Sequence, residues 1–244
     1  MASWFMLIVS AYIIGSLPVS YLAAKWAKGI DLRKYGTGQV GGGNLWRMTA
    51  SWKIGLPVGL YDGSKGLFMM LAARAAGLDL AQQIVTGLAA IAGHNWSVFL
   101  KFSGGRGVGT ALGIIFILPF IAPTTLWITL TFFIIAVITI IFLHRSPVPI
   151  LLGVVSLPIT SLALNQPPAV TLALLGIPFI IILKRLIAQR SPEASSLPKN
   201  QLLLNRLLFD RDIRDRQAWL YRAPIEGKAK IRSNQREERE NSKS

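Results

Sequence analysis

The sequence contains no cysteine; disulfides and thiolate chemistry are therefore excluded, and the redox compartment is left open. Charge is scarce as well. Only 15% of the 244 residues are charged while 52% are hydrophobic, and the mean hydropathy is +0.49, a balance that excludes an ordinary soluble domain. Acid is scarcest of all, with 11 Asp+Glu against 26 Lys+Arg. Ahead of Leu186 only Asp31, Asp62 and Asp79 carry negative charge, against 13 basic residues. Basic residues placed around apolar spans set membrane orientation, so the excess reads as topological and no nucleic-acid partner is expected.

The longest absences are the charge-free runs. Residues 1–24 hold no charged side chain and Lys25 is the first basic one; a cleaved signal peptide starts with positive charge, so this run reads as a retained transmembrane helix. Residues 107–143 and 146–183 are also uncharged, the first divided by Pro119 and Pro123 and the second by Asn165, Gln166, Pro167 and Pro168. Proline clusters of this kind mark turns between spans. Residues 54–93 are less pure, with Asp62, Lys65, Arg74 and Asp79 and a turn at 77–79. At about 17 to 25 residues per span, the chain is expected to be an all-α integral membrane protein of about seven transmembrane helices.

The basic residues give those spans an orientation. Lys25, Lys28, Arg33, Lys34, Arg47 and Lys53 fall in one connection, Lys101 and Arg106 in the next even one and Arg145 in another, whereas the intervening turns carry none. With only Arg74 near the other side, the expectation is an N-terminus outside and a C-terminus inside, with both glycine-rich loops cytoplasmic. Residues 107–118 make a short span of about 18 Å. Either its helix starts within the preceding loop or that loop dips toward the bilayer.

Three segments are expected: a polytopic body over 1–187, a basic amphipathic cytoplasmic segment over 188–226 and a disordered tail over 227–244. In the middle segment Leu202, Leu203, Leu204, Leu207, Leu208, Phe209 and Trp219 alternate with Arg206, Arg211, Arg214 and Arg216. Such a pattern fits a helix lying on the membrane surface or docked on the cytoplasmic face. Beyond residue 227 Ala229 and Ile231 are the only apolar residues, too few for a core.

Two glycine clusters carry the chemical signal. Residues 29–47 place Gly36, Gly38, Gly41, Gly42 and Gly43 among Arg33, Lys34 and Arg47, which reads either as an anion site or as a flexible cytoplasmic loop. In residues 93–110 Gly104, Gly105 and Gly107 bracket Arg106 just before an apolar helix. Free N–H groups at a helix N-terminus beside a guanidinium suit a phosphate, and an interfacial arginine turn is the alternative. The spacing is not that of a Walker A loop. His94, ten residues ahead of this loop, is a candidate base or orienting group, or an interfacial histidine without a chemical role. Asp62 and Lys65 are three apart, hence on one helical face, and form either a structural ion pair or a pair in the site.

These clusters, in this order, resemble the bacterial acyl-phosphate:glycerol-3-phosphate acyltransferase family of the PlsY type. GSLPVSYL at 15–22 resembles the family's first helix, and DLRKYGTGQVGGGNLWR at 31–47 resembles its first motif, D-x-R-x-x-G-S-G-N-x-G-A-T-N-x-x-R. DGSKG at 62–66 resembles D-x-x-K-G, and GH followed by FLKFSGGRGV resembles G-H and F-K-G-G-K-G-V. The resemblance implies a seven-helix bundle that moves an acyl group from acyl phosphate to the 1-hydroxyl of glycerol 3-phosphate, giving lysophosphatidic acid without metal or coenzyme. It implies catalytic roles for Thr37, where the family has serine, and for Arg47 and His94. It implies phosphate-binding roles for Gly38, Asn44, Gly104, Gly105, Gly107 and Arg106, the last replacing lysine. Gln39 departs from the motif's asparagine, and Gly42 and Gly43 from Ala-Thr. The third motif, H-R-x-N-I-x-R-L-x-x-G-x-E, keeps only R-L within LKRL at 183–186, its other positions falling on Phe179, Ile182 and Ser191. Asn205, Arg206 or Asp210 of the C-terminal segment are candidates to supply what is missing. Two rival expectations remain: a paralogue with another phosphorylated acceptor or no activity, and a small transporter.

Overall fold

The structure, a computed structural model, describes residues 2–143 and 147–220. Eleven α-helices run in chain order among the described residues: α1 (Ala2–Ser16), α2 (Val19–Lys28), α3 (Gly42–Thr49), α4 (Trp52–Ala75), α5 (Leu80–Asn95), α6 (Val108–Ile121), α7 (Leu126–Leu143), α8 (Val148–Ala163), α9 (Pro168–Leu186), α10 (Lys199–Phe209) and α11 (Arg216–Leu220). His144, Arg145 and everything after Leu220, including the tail expected to be disordered, lie outside the described residues.

The expected seven spans correspond to α1 continued by α2, and to α4 through α9. Three segments, Ala2–Lys28, Pro123–Leu143 and Pro168–Leu186, are long and apolar enough to cross a membrane, and Val108–Ile121 and Val148–Ala163 are shorter apolar helices. On α7, Ile134, Ile138 and Ile141 stay exposed, as side chains facing lipid should. The opposite side of the bundle is closely packed. Met70, Ile84, Ile91, Ile114, Ile115, Phe132, Leu157, Leu174 and Ile177 form one buried cluster joining α4 through α9.

Small residues set the closest crossings. A Cβ at Gly93 would lie 2.1 Å from the Tyr12 carbonyl oxygen and one at Gly15 would lie 2.2 Å from that of Ala90, so α1 and α5 touch backbone to backbone. The same holds between α6 and α4, where a Cβ on Gly113 would lie 1.9 Å from the Gly63 carbonyl oxygen. Glycine at such points lets helices in lipid gain dispersion contact that larger side chains would block.

Two expectations about the spans are corrected. Residues 1–24 do not form one uninterrupted helix, because Pro18 lacks an N–H and disfavours helical backbone at Leu17; the chain breaks there into α1 and α2. Likewise Pro119 does not open the turn after α6. It lies inside the helix, and the Ile115 carbonyl, which its missing N–H would have bonded, accepts from Thr129 Oγ1 of α7 at 3.1 Å. The turn itself comes later, as a single 3₁₀ turn at Pro123–Thr125.

The short α6 does not borrow length from the loop before it. Gly107 caps the helix in the left-handed region at φ 72°, leaving 14 residues, or about 21 Å. Arg74, the one basic residue near an outer turn, donates from NH1 to the Phe120 carbonyl at that end of α6, 3.2 Å away.

Candidate active site at the glycine loops

The first glycine loop is held from within by Asn44. Its Oδ1 accepts from the Thr37 N–H at 3.0 Å, and its Nδ2 faces the carbonyls of Gln39, Tyr35 and Leu32 at 3.0, 3.1 and 3.3 Å. With Asn44 only 5% exposed, one carboxamide ties four backbone groups into a fixed turn. Gly36 is required there: its φ is 59°, and a Cβ would stand 2.3 Å from Asn44 Oδ1. The carboxamide of Asn44 is thus committed to the loop's own backbone. Arg33 is also engaged, pairing with Asp31 at 2.6 Å and stacking over Tyr21. The guanidinium's hydrogen bonds hold the Asp31 carboxyl below its ordinary range.

The second loop is built from the end of α5. The Gly105 N–H donates to the His94 carbonyl at 3.0 Å, and the Ser97 and Ser103 backbones pair antiparallel. Gly105 then passes so close to the imidazole that a Cβ on it would lie 2.1 Å from His94 Nε2 and 2.6 Å from the Val40 carbonyl oxygen. The two loops meet at this point, where the Val40 N–H donates to the Gly104 carbonyl at 3.3 Å.

Behind the junction lies a buried charged cluster. Asp62 Oδ1 is 3.0 Å from Lys65 Nζ and 3.5 Å from His94 Nδ1, while Oδ2 accepts from Ser20 Oγ at 3.1 Å. All three charged or titratable side chains are at most 8% exposed. Lys65 also donates to the Leu17 and Gly15 carbonyls at 2.8 and 3.3 Å, oxygens opened by the Pro18 break. Asp62 and Lys65 therefore do form an ion pair, and it is joined to His94: the carboxylate side of the ring faces α4 and the Nε2 side faces Gly105. A narrow cleft of about 10 Å³ runs along this cluster, bordered also by Ser16, Val40, Ser97 and Gly104.

On the other side of the second loop stands a basic group. Arg106 Nη1 donates to the Lys184 carbonyl at 2.7 Å, and Lys184 Nζ reaches the Asn95 carbonyl and lies over the Trp96 ring. Arg185, 2% exposed, donates to the Leu207 and Pro147 carbonyls. Between Arg106 and Arg185 sits the Asp210 carboxylate, with Oδ1 at 2.9 Å from Arg106 Nε and 3.8 Å from Arg185 Nε, and Oδ2 accepting from Gln39 Nε2 at 3.1 Å.

The structure thus brings together Gly104, Gly105, Gly107, Arg106, His94, Asp62 and Lys65, with Val40 and Gln39 linking the first loop to them. Thr37 and Gly38 lie half-buried on that loop, and Arg47 is exposed in the last turn of α3. Lys184, Arg185 and Asn95 also stand at the site, where the sequence alone does not place them. Asn95 is fully buried beside Gly107, with no hydrogen bond to either side-chain atom among the described residues. A polar residue directly after G-H was its only signal.

Comparison with known proteins identifies the family. The family model described as glycerol-3-phosphate acyltransferase matches residues 5–191, ending before α10. Glycerol-3-phosphate acyltransferase 4 of Dehalococcoides mccartyi (strain CBDB1) is 40% identical over 222 residues, covering 88% of this chain and 92% of the relative. A relative of the same description in Thermotoga petrophila is 41% identical over 136 residues, covering 56% of this chain and 68% of its own. Among solved structures, the glycerol 3-phosphate form of PlsY, an integral membrane glycerol 3-phosphate acyltransferase, superposes with a TM-score of 0.65 at 30% identity, covering 75% of this chain and 88% of that one. With its all-helical apolar build, the chain is an integral membrane protein that belongs to the glycerol-3-phosphate acyltransferase family.

Proposed function

We propose that the protein transfers a fatty acyl group from acyl phosphate to the 1-hydroxyl of glycerol 3-phosphate, releasing lysophosphatidic acid and inorganic phosphate. The observation that carries this reading is the junction of the two glycine loops at Val40 and Gly104, flanked by Arg106 on one side and His94 on the other. Such a reaction must hold two phosphate groups close together and aim a hydroxyl at the carbonyl of a mixed anhydride. In this reading residues 104–107 and Arg106 hold the acceptor phosphate at the start of α6, where backbone N–H groups are unspent. Gly38 and Asn44 shape the first loop, which with Thr37 and Arg47 takes the acyl phosphate. His94, steadied by Asp62, orients the hydroxyl.

The acceptor oxygen bonds to the acyl carbonyl carbon, the carbon–oxygen bond to phosphate breaks, and phosphate leaves with that electron pair. The hydroxyl proton passes to a phosphate oxygen, so the chain itself needs no net change in protonation. Proximity and neutralisation of the two dianions supply most of the rate. No coenzyme enters this scheme.

The reading places the protein in a bacterial plasma membrane with its N-terminus outside, its C-terminus cytoplasmic and residues 1–187 as the enzymatic body; the distribution of basic residues supports it. The deciding experiment supplies purified protein in lipid with acyl phosphate and labelled glycerol 3-phosphate. Lysophosphatidic acid is expected, and Arg47→Ala is expected to abolish it. Wild-type protein that is folded yet forms no product would sink the assignment.

A further inference from the structure

We infer that Asp210, delivered by the C-terminal segment beyond the family-matched region, is a positioning residue of the acceptor-phosphate site: it holds Arg106 against the first glycine loop through Gln39. This rests on the reading that residues 104–107 bind the acceptor phosphate. The segment carrying Asp210 is docked on the bundle by buried bonds on both sides of it. Arg206, 5% exposed, pairs with Asp212 at 2.7 Å and donates from Nη1 to the Leu186 carbonyl at the end of α9. Asn205 Nδ2 donates to the Asp212 carbonyl, and Asp212 Oδ2 accepts the Ser191 N–H at 2.6 Å. Arg185 closes the other side by donating to the Leu207 carbonyl.

Between those anchors the backbone of Asp210 is left-handed, at φ 54°, with its N–H returned to the Arg206 carbonyl as the cap of α10. Aspartate is among the few residues that enter this region readily. The turn lays the carboxylate between two partners that belong to different loops, Gln39 Nε2 at 3.1 Å and Arg106 Nε at 2.9 Å. Arg106 Nε approaches off its N–H axis, as an ion pair without a hydrogen bond. This ion pair and the Arg106 bond to the Lys184 carbonyl together hold the guanidinium beside the second loop.

Charge gives the second argument. Arg106, Lys184 and Arg185 are close enough to repel one another, and all three are largely buried. A guanidinium in such company swings toward water unless a carboxylate retains it. Asp210 is that carboxylate.

The test measures KM and kcat of the full-length protein in lipid, with glycerol 3-phosphate varied at saturating acyl phosphate and the reverse. Asp210→Asn is expected to raise the KM for glycerol 3-phosphate about tenfold, the worth of one charged contact. Both kcat and the KM for acyl phosphate should change by less than about threefold. Asp210→Glu should recover most of the loss, and in an Arg106→Ala background Asp210→Asn should add nothing. Gln39→Leu cuts the same bridge from the other end and should raise the same KM; it also serves if Asp210→Asn fails to fold. An unchanged KM in Asp210→Asn, or in Gln39→Leu where that variant stands in, overturns the inference provided that Arg106→Ala does raise it. A lowered KM also overturns it, making the carboxylate an occupant of the phosphate seat. If Arg106→Ala itself leaves KM unaltered, the phosphate-loop reading falls and this inference with it.

Discussion

At the scale of single residues, the glycines of this chain are not equivalent, and their surroundings say which ones matter. Gly105 has no room for a methyl group between His94 Nε2 and the Val40 carbonyl, whereas a Cβ on Gly43 would meet nothing within 4 Å. Gly105→Ala must therefore displace the imidazole or part the two loops. Because a shift of about 1 Å in a catalytic group can cost on the order of a hundredfold in rate, activity is expected to fall by about that factor, with thermal stability lowered by about 1–3 kcal/mol from overpacking. Gly43→Ala, by contrast, should stay within about 0.5 kcal/mol of the parent in stability and keep its activity. Initial rates and melting curves on both variants check the pair; equal effects would show that the junction is not the tight point. The departures Gly42 and Gly43 from the family's Ala-Thr split in the same way. A Cβ on Gly42 would stand 2.7 Å from the Gly59 backbone of α4, so Gly42 is a packing glycine, whereas Gly43 faces open space.

At the scale of elements, the consequential feature is the break between α1 and α2, because it opens the carbonyls that Lys65 occupies. Lys65→Met would leave Asp62 buried without its main partner, a loss of about 3–5 kcal/mol, while Lys65→Met with Asp62→Leu removes both charges and should recover much of it. Thermal denaturation of the two variants in the same lipid gives the comparison, and a double variant no more stable than the single one would contradict the pairing. This element also shows what the sequence could reveal. Charge-free runs disclosed the spans because lipid tolerates no unpaired charge, and i, i+3 spacing disclosed the Asp62–Lys65 pair. Neither hydropathy nor spacing reports where a proline frees a carbonyl and which side chain takes it, so from sequence Pro18 reads as helix and Pro119 as a turn. The site behaved alike. The two glycine loops and Arg106 were legible locally, whereas the contact of His94 with Asp62 depends on how α4 crosses α5, and Lys184 and Arg185 enter only because α9 ends beside the second loop.

At the scale of the whole molecule, the distribution of basic charge makes a claim about orientation that the fold renders testable. The ends of α2 and α10 lie with the glycine loops on the basic side, and the turns after α4 and α8 carry no lysine or arginine beyond Arg74. If the positive side is cytoplasmic, both substrates reach the site from the cell interior, where phosphorylated metabolites are kept, and the product is released into the inner leaflet. The absence of native cysteine allows this to be read directly with single substitutions. Ala76→Cys and Ala163→Cys, at the turns after α4 and α8, should react with a membrane-impermeant thiol reagent added to intact cells. Ala27→Cys and Gln201→Cys, both at exposed positions on α2 and α10, should react only after the membrane is opened. The reverse pattern would put the glycine loops outside, away from any supply of acyl phosphate, and would be incompatible with the proposed reaction. Labelling of all four from outside would instead indicate a path through the bundle, the behaviour of a transporter.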